Sequence, residues 1–195
     1  MTTVTFSPLT PDRWSDFETL FGERGGCGGC WCMWWHLPRG RFEEQKGEAN
    51  RQAMRKMVFS GKIPGLLAYS GKQPVGWISV APREFYSGLS RSRVLKPVDA
   101  QPVWSVVCFF IPRPYRRQGL SVELLKGAVA YVQQNGGQIV EGYPVAPRQD
   151  KAPDAFVWTG LERSFQLAGF REVARNSPTR PIYRFFIETP PPSDT

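Results

Sequence analysis

Only one histidine, His36, occurs in the 195 residues, and no apolar stretch approaches the roughly 20 residues that a bilayer-spanning helix needs. The first residues, Met1 to Phe6, carry neither a basic segment nor an apolar one, so no signal peptide is expected. A membrane protein is excluded on this reading, and the cytoplasm is the expected compartment. There the four cysteines are reduced thiols or metal ligands, not disulfides. The chain lacks internal repeats and long runs of one charge. Its net charge of +8 is therefore spread thinly. Such an excess is either solvated surface or a field that draws in nucleic acid, acidic membrane or a polyanionic ligand.

What is present is an ordinary globular composition, 41% hydrophobic and 22% charged, with thirteen Phe and seven Trp. One domain over residues 1–188 is expected, followed by a disordered Pro-rich tail, 189–195. Residues 2–7 alternate like a short strand. Thr10-Pro11-Asp12 then opens a helix that carries Trp14, Phe17, Leu20 and Phe21 on one face. A Gly/Cys/Trp-rich loop runs from Gly25 to Pro38. The spacing predicts a second helix over 41–60, a hairpin from strands 64–70 and 75–81, and a long basic loop over 82–102. Val103 to Ile111 reads as a buried central strand. A helix over 120–134, a strand over 138–145, a polar loop over 146–155, a helix over 156–168 and a strand over 181–187 complete a β-α-α-β-β-β-α-β-α-β order.

The most informative segment follows the central strand. Pro112 and Pro114 force an extended exit, and Arg116-Arg117-Gln118-Gly119-Leu120-Ser121 then runs into a helix start. That start offers unpaired backbone N–H groups and the positive end of a helix dipole. Gly119 lets a ligand approach the backbone, so the turn reads as a phosphate site. It has no Gly-Lys-Ser/Thr ending and only one glycine, which excludes a P-loop and a dinucleotide fingerprint.

These residues resemble the GNAT acetyltransferase superfamily, whose pyrophosphate turn reads Arg/Gln-x-x-Gly-x-Gly/Ala. Arg116, Gly119 and Ser121 take the three places, Ser121 departing from Gly/Ala but staying small. Trp158 to Val173 is similar to the family's last helix and the Gly-Phe that closes it, here Gly169-Phe170. The resemblance covers roughly residues 2–187. It implies an α/β fold with a mixed, mostly antiparallel sheet splayed between strands 4 and 5 and flanked by helices. It implies acetyl-CoA as co-substrate, held by Arg116, Arg117, Gln118, Gly119, Leu120 and Ser121. Pantetheine is then expected against the backbone near Phe109 and Ile111, with the acetyl carbonyl polarised by backbone N–H.

A primary amine, on a small molecule or a protein, is the implied acceptor. It attacks directly once a base has taken its proton. The family's usual acid is a tyrosine four residues before the Gly of Gly-Phe, and Phe165 stands there instead. Tyr143, Ser164 and Cys108 are the candidate substitutes, and Glu141 and Glu84 the candidate bases. The oligomeric state stays open, a homodimer being one arrangement.

Cys27, Cys30, Cys32 and His36 form Cys-x2-Cys-x-Cys-x3-His. As four soft ligands they are a candidate zinc site, and with the 82–96 loop as a basic arm they suggest a nucleic-acid-binding knuckle. The Cys-x-Cys spacing and the interleaved Trp31, Met33, Trp34 and Trp35 favour a metal-free aromatic wall for the acceptor. A third reading is a GNAT fold that binds coenzyme A without turnover.

Overall fold

The computed structural model describes residues 4–147 and 157–188. The expected disordered tail and most of the 146–155 loop lie outside the described residues. The alternating start forms β1 (Val4–Pro8), and the Trp14/Phe17/Leu20/Phe21 stripe is the buried face of α1 (Trp14–Phe21). The helix expected over 41–60 is two helices, α2 (Arg39–Glu44) and α3 (Glu48–Phe59). Gly47 stands at the break with φ +90°, and its N–H donates to Gly29 O at 2.9 Å. A Cβ on Gly29 would sit 2.3 Å from that nitrogen. The break thus stitches the Cys/Trp-rich loop onto the second helical segment.

The hairpin is β2 (Leu66–Ser70) and β3 (Gln73–Pro82), and the segment after it holds a 3-10 turn (Arg83–Phe85) and the short helix α4 (Ser87–Ser90). The central strand β4 (Trp104–Phe110) leads to α5 (Leu120–Gln134) and β5 (Ile139–Gly142). Next comes α6 (Glu162–Leu167), shorter than the helix expected over 156–168 because the chain reaches Leu161 in an extended form. Two strands finish the fold, β6 (Arg171–Arg175) and β7 (Pro181–Phe186). The seven strands form one mixed sheet in the order β1-β2-β3-β4-β5-β7-β6, antiparallel except for β4–β5.

Each face of the sheet carries its own core. Leu124, Leu125, Ala128 and Val132 of α5 cover Val80, Val106 and Val140 on one side. The other side is ring-rich: Phe17 and Phe21 of α1, Trp31, Cys32 and Met33 of the loop, Trp77, Cys108 and Tyr143. Trp31 stacks on Phe21 with centroids 5.7 Å apart, and Trp77 meets Phe17 edge-on at 4.9 Å. Such ring pairs contribute about 0.5–1.5 kcal/mol each beyond the area they bury.

Two features make β4 and β5 part. A bulge between Ser79 and Val80 leaves Val107 as an extra residue on β4, and bulges bend the strand that bears them. The parallel pairing covers only Trp104–Val140, Ser105–Glu141 and Val106–Gly142. Pro144 then lacks the N–H that a longer ladder needs.

Candidate functional site

The chain leaves β4 through Pro112, makes a single 3-10 turn over Arg113–Tyr115, and reaches the start of α5. Gly119 adopts a left-handed conformation, φ +81°, and its carbonyl accepts from Val122 N–H at 2.9 Å. Arg117 also has positive φ, +60°. Successive turns of this kind make the backbone concave, with its N–H groups facing one point. Among the described residues, the backbone N–H groups of Arg117 to Ser121 donate to no backbone carbonyl. Among the described residues nothing lies within 4 Å of the place a Gly119 Cβ would take. Open donors, open space and the positive end of a 15-residue helix fit a diphosphate.

Side chains brace this turn instead of filling it. Arg116 Nε donates to Ile111 O at 2.7 Å, and Gln118 Nε2 to Pro114 O at 2.7 Å. Ser121 and Ser164 share a hydrogen bond at 3.0 Å, which ties α6 to the first turn of α5. The Ser164 hydroxyl is therefore engaged at the phosphate end. Phe165, standing in place of the tyrosine usual in the family this chain resembles, is fully buried, edge-on to Phe109 at 6.1 Å and Phe170 at 5.1 Å. A Cβ on Gly142 would meet its ring at 2.1 Å, so this glycine is needed for the ring to fit.

Glu141 and Tyr143 lie at the root of the splay, where both are wholly buried. Glu141 Oε1 accepts from Tyr143 Oη at 2.7 Å and Arg83 Nη1 at 3.0 Å, and Oε2 accepts from Arg184 Nε at 2.8 Å. Arg184 reaches on to both oxygens of Asp99, at 2.7 and 3.1 Å, and Tyr143 Oη also meets Ser105 Oγ at 2.8 Å. Burial works against the charge of Arg184, but Asp99 and Glu141 outweigh it and raise its pKa. Burial, then the Glu141 charge, pushes the Tyr143 phenol well above its usual range. Arg83, expected on a basic surface arm, is drawn into this cluster, while Arg91 Nη2 caps Leu37 O at 3.0 Å. Sequence reasoning found Glu141 and Tyr143 but missed Arg83, Ser105, Asp99 and Arg184 as their partners. The β4–β5–β7 register aligns Ser105, Glu141 and Arg184, while Arg83 and Asp99 come from the segment between β3 and β4.

In the Cys/Trp loop, Cys27 is exposed and Cys30 partly buried, its thiol pushed up to about 11 by burial. Cys32 is buried and its Sγ accepts from Trp77 Nε1 at 3.2 Å. Burial opposes ionisation of Cys32, yet hydrogen bonds from Cys108, Trp77 and Ser79 outweigh it and lower its pKa; Cys108, bonded to that sulfur and buried, is raised. The His36 ring lies between Phe85, at 5.2 Å, and Tyr86, at 5.0 Å. Among the described residues no group of three or more His, Cys, Asp or Glu side chains is placed to hold a metal ion. Trp34 and Trp35 lie against Trp158, at 6.2 and 6.0 Å. Beyond them an open hollow of about 440 Å³ is lined by His36, Met57, Lys62, Pro82, Glu84, Phe85 and Ser87. Glu84 is exposed on it.

His36 has a consequence that pH reveals. Its Nε2 is buried without a hydrogen-bond partner among the described residues, and burial lowers its pKa to about 4. The unfolded chain takes up this proton near pH 6.5, so the folded state loses stability as pH falls from about 6.5 towards 4. In His36→Gln the fall in melting temperature across that window is expected to shrink. An identical fall in both proteins rejects this account.

The comparisons follow this geometry. The acetyltransferase (GNAT) family model matches residues 31–156, more than half of the chain. By sequence the chain matches no curated protein. It is similar to solved structures across nearly its whole length. A Listeria monocytogenes GNAT acetyltransferase aligns with TM-score 0.57 and 8% identity, over 94% of this chain and 95% of that one. The PaiA N-acetyltransferase of Thermoplasma acidophilum, solved with coenzyme A, gives 0.52 and 12%, over 94% and 99%. Arabidopsis thaliana NAA60, solved with acetyl-CoA, gives 0.50 and 14%, over 95% and 100%. At such identities the likeness speaks for the fold alone. No helix among the described residues is long and apolar enough to cross a membrane.

Proposed function

The chain belongs to the acetyltransferase (GNAT) family, and we propose that it moves an acetyl group from acetyl-CoA to a primary amine by direct attack. The observation that carries this is the Arg117–Ser121 backbone, open at the start of α5 on the end of a splayed β4. Its N–H groups would hold the diphosphate, and β4 beyond Val106 would supply backbone groups to pantetheine, with Phe109 N–H as the donor for the acetyl carbonyl. Two of the neighbours were crystallised with coenzyme A or acetyl-CoA, which supports the same assignment. The acceptor side is the aromatic wall of Trp34, Trp35 and Trp158. Flat rings there suit an amine that arrives as a cation and must lose a proton before it attacks.

The geometry sorts the proton-handling candidates. Glu141 is ion-paired to two guanidinium groups, Tyr143 donates to it, and Ser164 is bonded to Ser121. That leaves Glu84, exposed on the hollow beside His36, as the carboxylate with room to accept a proton through water. No side-chain acid is needed for the departing thiolate. A thiol near the free-cysteine pKa of about 8.5 leaves tolerably without one, at a cost of roughly 10²-fold in rate. A slow but real transferase is therefore proposed.

The test is a melting curve with acetyl-CoA, with DNA and RNA as controls. At about one hundred times Kd, acetyl-CoA is expected to add about 2.7 kcal/mol, roughly 5–10 °C for a domain of this size. No shift at millimolar acetyl-CoA, or a larger shift with nucleic acid, sinks the proposal. A panel of amines then separates turnover from binding alone, the reading that the ring of Phe165 keeps in play.

A further inference from the structure

Strands that diverge leave backbone groups in want of partners, and here the chain supplies them itself. Residues 157–161 run into the wedge between β4 and the continuation of β5. On one wall, Phe109 N–H donates to Trp158 O at 2.7 Å. On the other, Val145 N–H donates to Gly160 O at 2.9 Å, Glu162 N–H donates to Val145 O at 3.1 Å, and Val145 forms a parallel bridge with Leu161. The segment is thus a tight turn, closed by Gly160 N–H on Val157 O at 2.8 Å, whose carbonyls and the Leu161 bridge span the gap. Gly160 makes it fit: its φ is +88°, and a Cβ would sit 2.8 Å from the Phe165 ring and 2.9 Å from the Phe109 ring. The indole of Trp158 points the other way, into the aromatic wall, 6.2 Å from Trp34 and 6.0 Å from Trp35. One residue therefore touches both halves of the site, its carbonyl the acyl half and its ring the acceptor half.

We propose that the Trp158 carbonyl competes with the thioester carbonyl for Phe109 N–H, so that acetyl-CoA seats only when residues 157–161 draw back, and that this withdrawal pulls the Trp158 ring off Trp34 and Trp35 and opens the acceptor wall. This rests on the assignment of Phe109 N–H as the acetyl-carbonyl donor. One N–H bonded at 2.7 Å does not serve a second acceptor at full strength. The wall and the acyl site are joined through a single peptide unit, so they change together. Coenzyme A itself has no acyl carbonyl to compete for Phe109 N–H, so this competition leaves the segment in place.

Amide exchange on the wild-type protein tests this without any variant. With acetyl-CoA, peptides covering 116–125 are expected to exchange more slowly, which reports cofactor binding, while the 157–161 peptide exchanges faster. With coenzyme A only the first change is expected. A second measurement uses Trp158→Ala, which removes the ring's hold but keeps the backbone carbonyl. Its affinity for acetyl-CoA is expected to rise about threefold to tenfold, because less binding energy goes into displacing the segment, and its affinity for coenzyme A to stay within about twofold. If 116–125 gains no protection, the cofactor assignment itself fails. If 116–125 is protected but 157–161 does not loosen, the proposal is overturned. The same holds if acetyl-CoA and coenzyme A loosen it equally. If Trp158→Ala does not fold, the exchange comparison still decides.

Discussion

Gly119→Glu is expected to abolish acetyl-CoA binding, lowering affinity by at least about 100-fold, while the protein keeps its fold. Three features of the turn set this size. Gly119 has φ +81°, where any L-residue costs about 1–2 kcal/mol, a strain that a domain of this size survives. Among the described residues nothing lies within 4 Å of its Cβ direction, so the new side chain meets none of them; it extends into the space assigned to the ligand. There its carboxylate faces a diphosphate. A unit charge about 5 Å away in an effective dielectric of about 20 repels by roughly 3 kcal/mol, which alone exceeds 100-fold. Gly119→Ala isolates the strain: it loses a few degrees of melting temperature and keeps most of its affinity. Calorimetric titration with acetyl-CoA, with circular dichroism as the check on folding, decides the matter. A Glu variant that binds like wild type removes the diphosphate from this turn.

The same turn marks how far the sequence could be read. Its chemistry is local: two prolines, one glycine and a helix start stand within ten residues, and the structure builds α5 from Leu120, next to Gly119. The β4–β5 unit was legible for a similar reason, since long apolar periodicity reports burial directly. What failed was set by contacts distant in sequence. Trp158-Thr159-Gly160 sits inside a helical pattern, yet the chain turns at Trp158–Thr159, Gly160 is left-handed and Leu161 is extended, because β4 and Val145 offer the segment backbone partners. Gly160 was the one local signal for this break. The helix over 41–60 likewise broke at Gly47, under the pull of Gly29 some twenty residues earlier. Glu141 and Tyr143 stood out as titratable residues on a core strand. Their surroundings depend on Arg83, Asp99 and Arg184, which three separate segments deliver. A carboxylate on a buried strand looks the same in sequence whether it serves a substrate or two arginines.

That distinction is measurable at Glu141, the residue whose loss is expected to cost the most stability. Glu141→Gln keeps the shape and removes the charge. Arg83 and Arg184 then remain almost buried, at 14% and 3% side-chain exposure, and only Arg184 keeps a carboxylate, in Asp99. Breaking a buried pair by removing one partner costs about 3–5 kcal/mol, because the other charge stays in place without compensation. For a chain of this length that is a drop of roughly 6–20 °C in melting temperature. Tyr143→Phe is the milder companion. It deletes the hydroxyl that bridges Ser105 and Glu141 but leaves both ion pairs, and it is expected to cost about 1–3 kcal/mol. Because burial holds the Tyr143 phenol well above its usual range, it donates to Glu141 throughout the neutral region, and this difference between the two variants should not change with pH there. A catalytic base gives the reverse pattern: Glu141→Gln would keep the wild-type melting temperature and lose turnover with a confirmed amine. Thermal unfolding of the two variants beside wild type, before any assay, therefore separates the roles. An unchanged melting temperature in Glu141→Gln overturns the structural assignment and returns Glu141 to the reaction.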